Sequence, residues 1–136
     1  MSLHVPDALL ERAVAGPVDD AEFVDCVRQS LPYAWDVVSL VAGKLHAGDD
    51  VFADDATPPP SEAERGQLLR ALASDSIRGA LQRHFGVVLA FQNCHRVAAF
   101  RPDSHLDPTS PGGVEYAAFV SPREQLRNQS PELRDC

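Results

Sequence analysis

The chain has 136 residues and a mass of 14.7 kDa, with 44% hydrophobic and 24% charged side chains and a formal charge of -8. That length suits one domain spanning residues 1–136, able to bury about two thirds of its unfolded surface without a disulfide or metal staple. The ordinary apolar and charged fractions exclude wholesale disorder, and no apolar run approaches the roughly 18–20 residues of a membrane span.

Pro6 to Val14 reads as a short helix, with Leu9, Leu10, Ala13 and Val14 at helical spacing and Gly16-Pro17 ending it. The same stretch lacks a basic region followed by an apolar one, so no secretory signal is expected. Asp19 to Ser30 has the best-marked helix start. Asp19 is placed to cap, Glu22 to bond back, and Val18 with Phe23 to form a hydrophobic staple. The apolar face is Phe23, Val24, Val27 and Leu31, with Cys26 at its edge. Pro32 opens a third helix, acceptable in a first turn where its missing N–H costs nothing. Trp35, Val38, Val41, Ala42 and Leu45 stripe that helix as far as Gly48 and mark it as central.

Residues 49–60 are acidic and then proline-rich, and read as a mobile loop. Ser61 and Glu64 predict a second capping box, followed by Leu68, Leu69 and Leu72. Ser74-Asp75 restarts the helix, Ile77, Ala80, Leu81 and Phe85 continue its apolar face, and Gly86 suits the C′ position. The period then changes. Val87–Phe91 and Val97–Phe100 are strand-like runs around Asn93–His95, which predicts a β-hairpin. Residues 102–113 read as a loop, and Val114 to Val120 as a third strand. Ser121, Pro122 and Glu124 open a last helix, with Leu126 and Leu133 as its apolar contacts. The expected fold class is α+β: N-terminal helices packed on an antiparallel sheet of about three strands, with a C-terminal helix.

Charge is spread unevenly. Residues 1–61 carry net -8, residues 62–101 net +3 and residues 102–136 net -3. The acidic whole disfavours nonspecific nucleic-acid binding, whose affinity comes largely from phosphate contacts. Arginine outnumbers lysine eleven to one and Ile77 is the only isoleucine, a bias that fits a GC-rich bacterial genome. Three cysteines, at 26, 94 and 136, have no paired spacing and read as reduced thiols in a cytoplasmic protein.

Three groups invite a chemical reading. Cys94 beside His95 offers a thiol and an imidazole for nucleophilic catalysis, although Asn93–His95 also suits a plain turn. His84 falls on the apolar face of its helix, as a hydrogen-bonded core residue would. A hairpin of the predicted length would hold His84 about 20 Å from the turn, at the opposite end. Asp103, His105 and Asp107 alternate as metal ligands can, although a solvated loop looks the same. Asp49, Asp50, Asp54 and Asp55 lack the EF-hand pattern. No cofactor is expected. Gly112-Gly113 precedes a predicted strand, unlike a phosphate loop, and neither Gly-x-Ser-x-Gly nor His-Glu-x-x-His occurs.

Helices 62–73 and 75–85 and the hairpin 87–101 follow in the order of part of a winged helix-turn-helix. Arg78, Gln82 and Arg83 project off the second helix and Arg96 sits near the hairpin tip, all suitable for DNA contact. The competing account pairs these arginines with the acidic N-terminal half, within one chain or across a dimer. The leading expectation is therefore a small non-catalytic binding or regulatory protein with a protein partner or itself as partner. A DNA-binding regulator and a Cys94/His95 enzyme are the alternatives.

Overall fold

The computed structural model describes residues 2–127, so Leu133 and Cys136 lie outside the described residues. The fold is α+β. Helices α1 (Asp7–Ala15), α2 (Asp20–Ser30) and α3 (Pro32–Ala47) precede strand β1 (Phe52–Asp55). Helices α4 (Glu62–Leu72) and α5 (Asp75–Phe85) lead to strands β2 (Val88–Gln92) and β3 (Arg96–Phe100). Helices α6 (Pro111–Phe119) and α7 (Pro122–Leu126) follow.

Local chemistry accounts for most of the helix boundaries. Asp19 caps α2 by accepting from the Ala21 N–H. The expected return bond from Glu22 is absent, because Glu22 is drawn to Arg12 of α1 at 2.6 Å. Ser61, Ser74, Ser110 and Ser121 cap α4, α5, α6 and α7 in turn, each accepting a backbone N–H in the first turn. Gly86 ends α5 at φ 68°, in the left-handed region that glycine enters without a Cβ penalty.

The three strands form one antiparallel sheet in the order β1-β3-β2. β3 is central, with Phe100 opposite both Phe52 and Val88. Alternation then assigns two faces. Leu89, Val97 and Ala99 point into a first core filled by α3 and by residues of α2, α4 and α5. Val38, Val41 and Leu45 of α3 meet the sheet there, at no more than 1% exposure. Ala90, Ala98 and Phe100 point the other way and are covered by Tyr116 and Phe119 of α6.

Four expectations need correction. The loop at 49–60 contains β1, whose four residues are a short acidic edge strand that composition alone disguises. The third strand is therefore β1, and Val114–Val120 belongs instead to α6 and its cap. Ser110 accepts from the Gly113 N–H at 2.9 Å and Pro111 sits in the first turn, so helix-start chemistry overrides the strand-like composition. Gly112 and Gly113 consequently open a helix, and the irregular segment after β3 ends at Ser110. His84 is exposed, lying against Trp35 with ring centroids 5.3 Å apart, and in that last turn of α5 Phe85 is the residue packed against the core.

Arg101 fixes where β1 begins. It donates to the carbonyls of Leu45, Gly48 and Asp50, closing the end of α3 and the turn into the strand. The N-terminal segment is tied down at Ser30, which accepts from the His4 N–H, and at Cys26, whose thiol donates to the His4 carbonyl.

Candidate functional site

The sheet's second face ends in a cleft of about 720 Å³ between β1, the β2–β3 turn and α6–α7. Phe52, Pro58 and Phe119 supply its apolar wall, and Asp54, Arg96 and Glu124 its charge. Alternation along β3 puts Arg96 on this face, where its guanidinium lies 4.9 Å from the Phe119 ring centroid. Arg96 bonds Glu124 at 2.8 Å and approaches Asp54 at 3.7 Å. Glu124 also receives Arg127 at 2.8 Å. A second cleft, of about 840 Å³, opens beside Lys44, Gly48 and Ala53 and shares Phe52, Asp54 and Glu115 with the first.

The hydrogen bond from Arg96, aided by Arg127, holds the Glu124 carboxyl below its ordinary value of 4.5. A depressed carboxylate stabilises the fold above its unfolded pKa, and that contribution is lost as pH falls through the folded value. The Arg96–Glu124 clamp should therefore be intact at neutral pH and release in acid below about 4.5. Melting temperature measured against pH should fall less steeply in that acid window for Glu124→Gln than for the wild type. Identical slopes would show that the clamp contributes nothing to stability.

The turn residues divide. His95 is 5% exposed, lines the first cleft and holds the Asn93 carbonyl through Nδ1 at 2.6 Å. Asn93 donates from Nδ2 to the Glu124 carbonyl, while its buried Oδ1 finds no partner among the described residues. Asn93 and Cys94 both have positive φ, at 56° and 61°, which gives the turn its tightness. Cys94 is disulfide-bonded, so the expectation of a reduced thiol fails at this position and no free thiolate stands beside His95. Cys26 is the free cysteine among the described residues and is buried.

The four arginine-segment candidates are not one surface. Arg78 donates to the Leu72 carbonyl at 2.9 Å and pairs with Asp75 at 2.6 Å. Gln82 accepts the Leu89 N–H and so fastens α5 to β2. Arg83 bonds both carboxylate oxygens of Asp20, lowering that carboxyl's pKa. Arg96 stands on the opposite face of the sheet from α5. Arg83–Asp20 and Arg96–Asp54 join the basic middle of the chain to its acidic start, so the pairing is intramolecular.

The loop triplet also separates. The His105 ring bonds the Pro102 carbonyl and rests edge-on against Tyr116, while Asp107 accepts from the N–H and hydroxyl of Thr109. Those bonds lower the Asp107 pKa. Asp103 is exposed, and no three metal-binding side chains converge among the described residues.

Sequence reasoning missed Asp54, Glu115, Phe119 and Glu124 as cleft residues. By composition Asp54 falls in a loop and Glu115 and Phe119 in a strand, and the spacing of Arg96 and Glu124 carries no signature. No curated protein and no solved structure matches this chain. A protein-family model does match, over residues 1–136, and its description refers to a reading frame and states no activity. The chain belongs to the family described as NucS shadow ORF.

Proposed function

We propose that this chain is a small non-catalytic binding protein whose receptive surface is the cleft between β1, the β2–β3 turn and α6–α7. The observation that carries the reading is the state of the titratable groups there. Arg96 and Arg127 are balanced by Glu124 and Asp54, Glu124 is held ionised, and His95 is tied to the Asn93 carbonyl. A general acid or base needs a pKa poised near the working pH and access to a substrate proton. Groups locked into mutual pairs instead present a fixed pattern of charge beside an apolar wall, which suits recognition.

The nucleic-acid reading retains the succession α4, α5 and hairpin, together with the letters KH in the family's name. The KH module holds nucleic-acid backbone at a Gly-x-x-Gly loop, and that spacing occurs nowhere in this sequence. Arg78 and Arg83 are already engaged by carboxylates, and the chain carries -8 overall. Both facts favour the cleft.

Amide NMR with a fragment mixture tests the proposal. Shifts should centre on Phe52, Ala118, Phe119 and Glu124, and a DNA duplex at about 0.15 M salt should leave α5 unmoved. Duplex-induced shifts at Arg78 and Arg83 would replace this reading with the nucleic-acid one. Turnover of an ester or phosphate substrate that disappears in His95→Gln would replace it with an enzyme.

A cytoplasmic setting belongs to the same proposal and meets its test at Cys94. Reducing pools open accessible disulfides, so alkylation in intact cells should label Cys94 there. Complete protection would place the chain in an oxidising compartment.

A further inference from the structure

We infer that the outer edge of β1 is a docking site for an extended basic peptide, which adds to the sheet as a fourth strand. The inference rests on the binding-protein reading above and names the partner's chemistry. Among the described residues β1 pairs only with β3, so its other edge has no strand beside it. Backbone N–H and C=O groups on such an edge are a template for another chain.

Both clefts of the molecule flank this edge. One lies on the second face of the sheet, beside Phe52 and Asp54. The other reaches the first face through Ala53 and the end of α3. Phe52, Asp54 and Glu115 are common to both. Side chains of an added strand point alternately to the two faces. They would thus enter one cleft and then the other, while the backbone hydrogen bonds supply sequence-independent affinity.

Charge selects the occupant. Asp50, Asp54, Asp55 and Glu115 surround the edge. The nearby cations Arg96 and Arg127 are already held, the first by Glu124 and Asp54 and the second by Glu124, and Lys44 in the second cleft is a single charge against these four carboxylates. Asp50 and Glu115 have no ion-pair partner among the described residues, so a ligand with Lys or Arg at alternate positions meets uncompensated carboxylates. A second copy of this chain is the wrong partner. Edge-to-edge pairing of two β1 strands would crowd the Asp54 and Asp55 carboxylates of both copies into one short ribbon, and like charges brought that close repel. The same acids that prevent self-pairing attract a basic strand. Pro58, Pro59 and Pro60 limit the added pairing to the four residues of β1.

The test uses the full chain and a labelled hexapeptide alternating lysine and valine. Binding should protect from exchange the alternate β1 amides that face away from β3, and weaken with added salt. A peptide of the same sequence, N-methylated on the edge-facing amides, should bind about tenfold more weakly, having lost two or more backbone hydrogen bonds. The double variant Asp50→Asn, Glu115→Gln should lower affinity several-fold and leave the melting temperature unchanged, both residues lying outside the ion pairs found among the described residues.

Equal binding of the N-methylated peptide, or of an alternating glutamate–valine peptide, would overturn the inference. Shifts at Ala118, Phe119 and Glu124 without protection of those outward-facing β1 amides would also overturn strand addition, and would leave the cleft proposal standing. No binding of the lysine–valine peptide would remove the basic-strand partner, and the fragment experiment would then judge the cleft by itself.

Discussion

Phe100→Ala should destabilise the protein by about 3–5 kcal/mol, the range for removing a fully buried aromatic side chain. Phe100 has no exposed surface and lies at the centre of the second core. It stacks on Phe52 at 5.4 Å and meets Tyr116 and Phe119 edge-on at 5.2 Å and 5.9 Å. Aromatic pairs of this kind add about 0.5–1.5 kcal/mol each beyond the area they bury. The alanine substitution would leave three rings around a void that the rigid central strand cannot close. For a domain of this length the loss corresponds to a drop of about 10–20 °C in melting temperature. Phe100→Leu keeps most of the volume and should cost distinctly less. Thermal and urea melts of the three proteins decide the matter, and a change under about 1 kcal/mol for the alanine variant would mean that α6 does not seal this face.

That second core is also where sequence and structure part. The first core is legible because its signals are local and repeated. Val38, Val41 and Leu45 recur at helical spacing, Ser61 and Ser74 stand ahead of α4 and α5, and Gly86 follows Phe85 where a left-handed residue is needed. The β2–β3 hairpin is legible for the same reason, with two apolar runs around Asn93. The second core depends on pairings across long separations. Phe52 opposes Phe100 in the register of an edge strand only four residues long, and nothing within residues 49–60 announces that partnership. Val114–Val120 has the composition of a strand. Ser110 and Pro111 start it as a helix, and its apolar residues then cover a face for which local patterning supplies no covering element.

The cleft inherits that blindness. Its residues come from β1, the β2–β3 turn, β3, α6 and α7, and of these β1 and α6 are the ones local pattern hides. His95 and Arg96 stand out in the sequence, but for chemistry that their surroundings do not support. His95 neighbours a thiol that is bonded elsewhere, and Arg96 faces Glu124 where a wing would face a phosphate backbone. The charge asymmetry is a sound signal of pairing between segments. Coulomb attraction cannot by itself say whether such segments meet within one chain or between two. Arg83 with Asp20 and Arg96 with Asp54 are two such meetings within the chain.

Gly113→Ala should destabilise by about 2 kcal/mol or more, although alanine is the better helix former by about 1 kcal/mol. The sign is the informative part. A Cβ at Gly113 would stand 1.7 Å from the Asp107 carbonyl oxygen and 2.5 Å from its carbon. Both atoms are backbone, so no rotamer change relieves the overlap, and either α6 or the 102–110 segment must move. A Cβ at the neighbouring Gly112 would come within 2.8 Å of the Ser104 hydroxyl oxygen. The two glycines thus let the start of α6 lie directly on the segment leaving β3, which is what brings Tyr116 and Phe119 over Phe100. Gly43 is the control. It is an exposed residue inside α3, and a methyl group added there would meet nothing within 4 Å, so Gly43→Ala should stabilise by about 0.5–1 kcal/mol. Two chemically identical substitutions should therefore move the urea midpoint in opposite directions. If Gly113→Ala also stabilises, the close approach is not present in solution. Phe119 would then not be held over Arg96, and the cleft would lose its apolar wall.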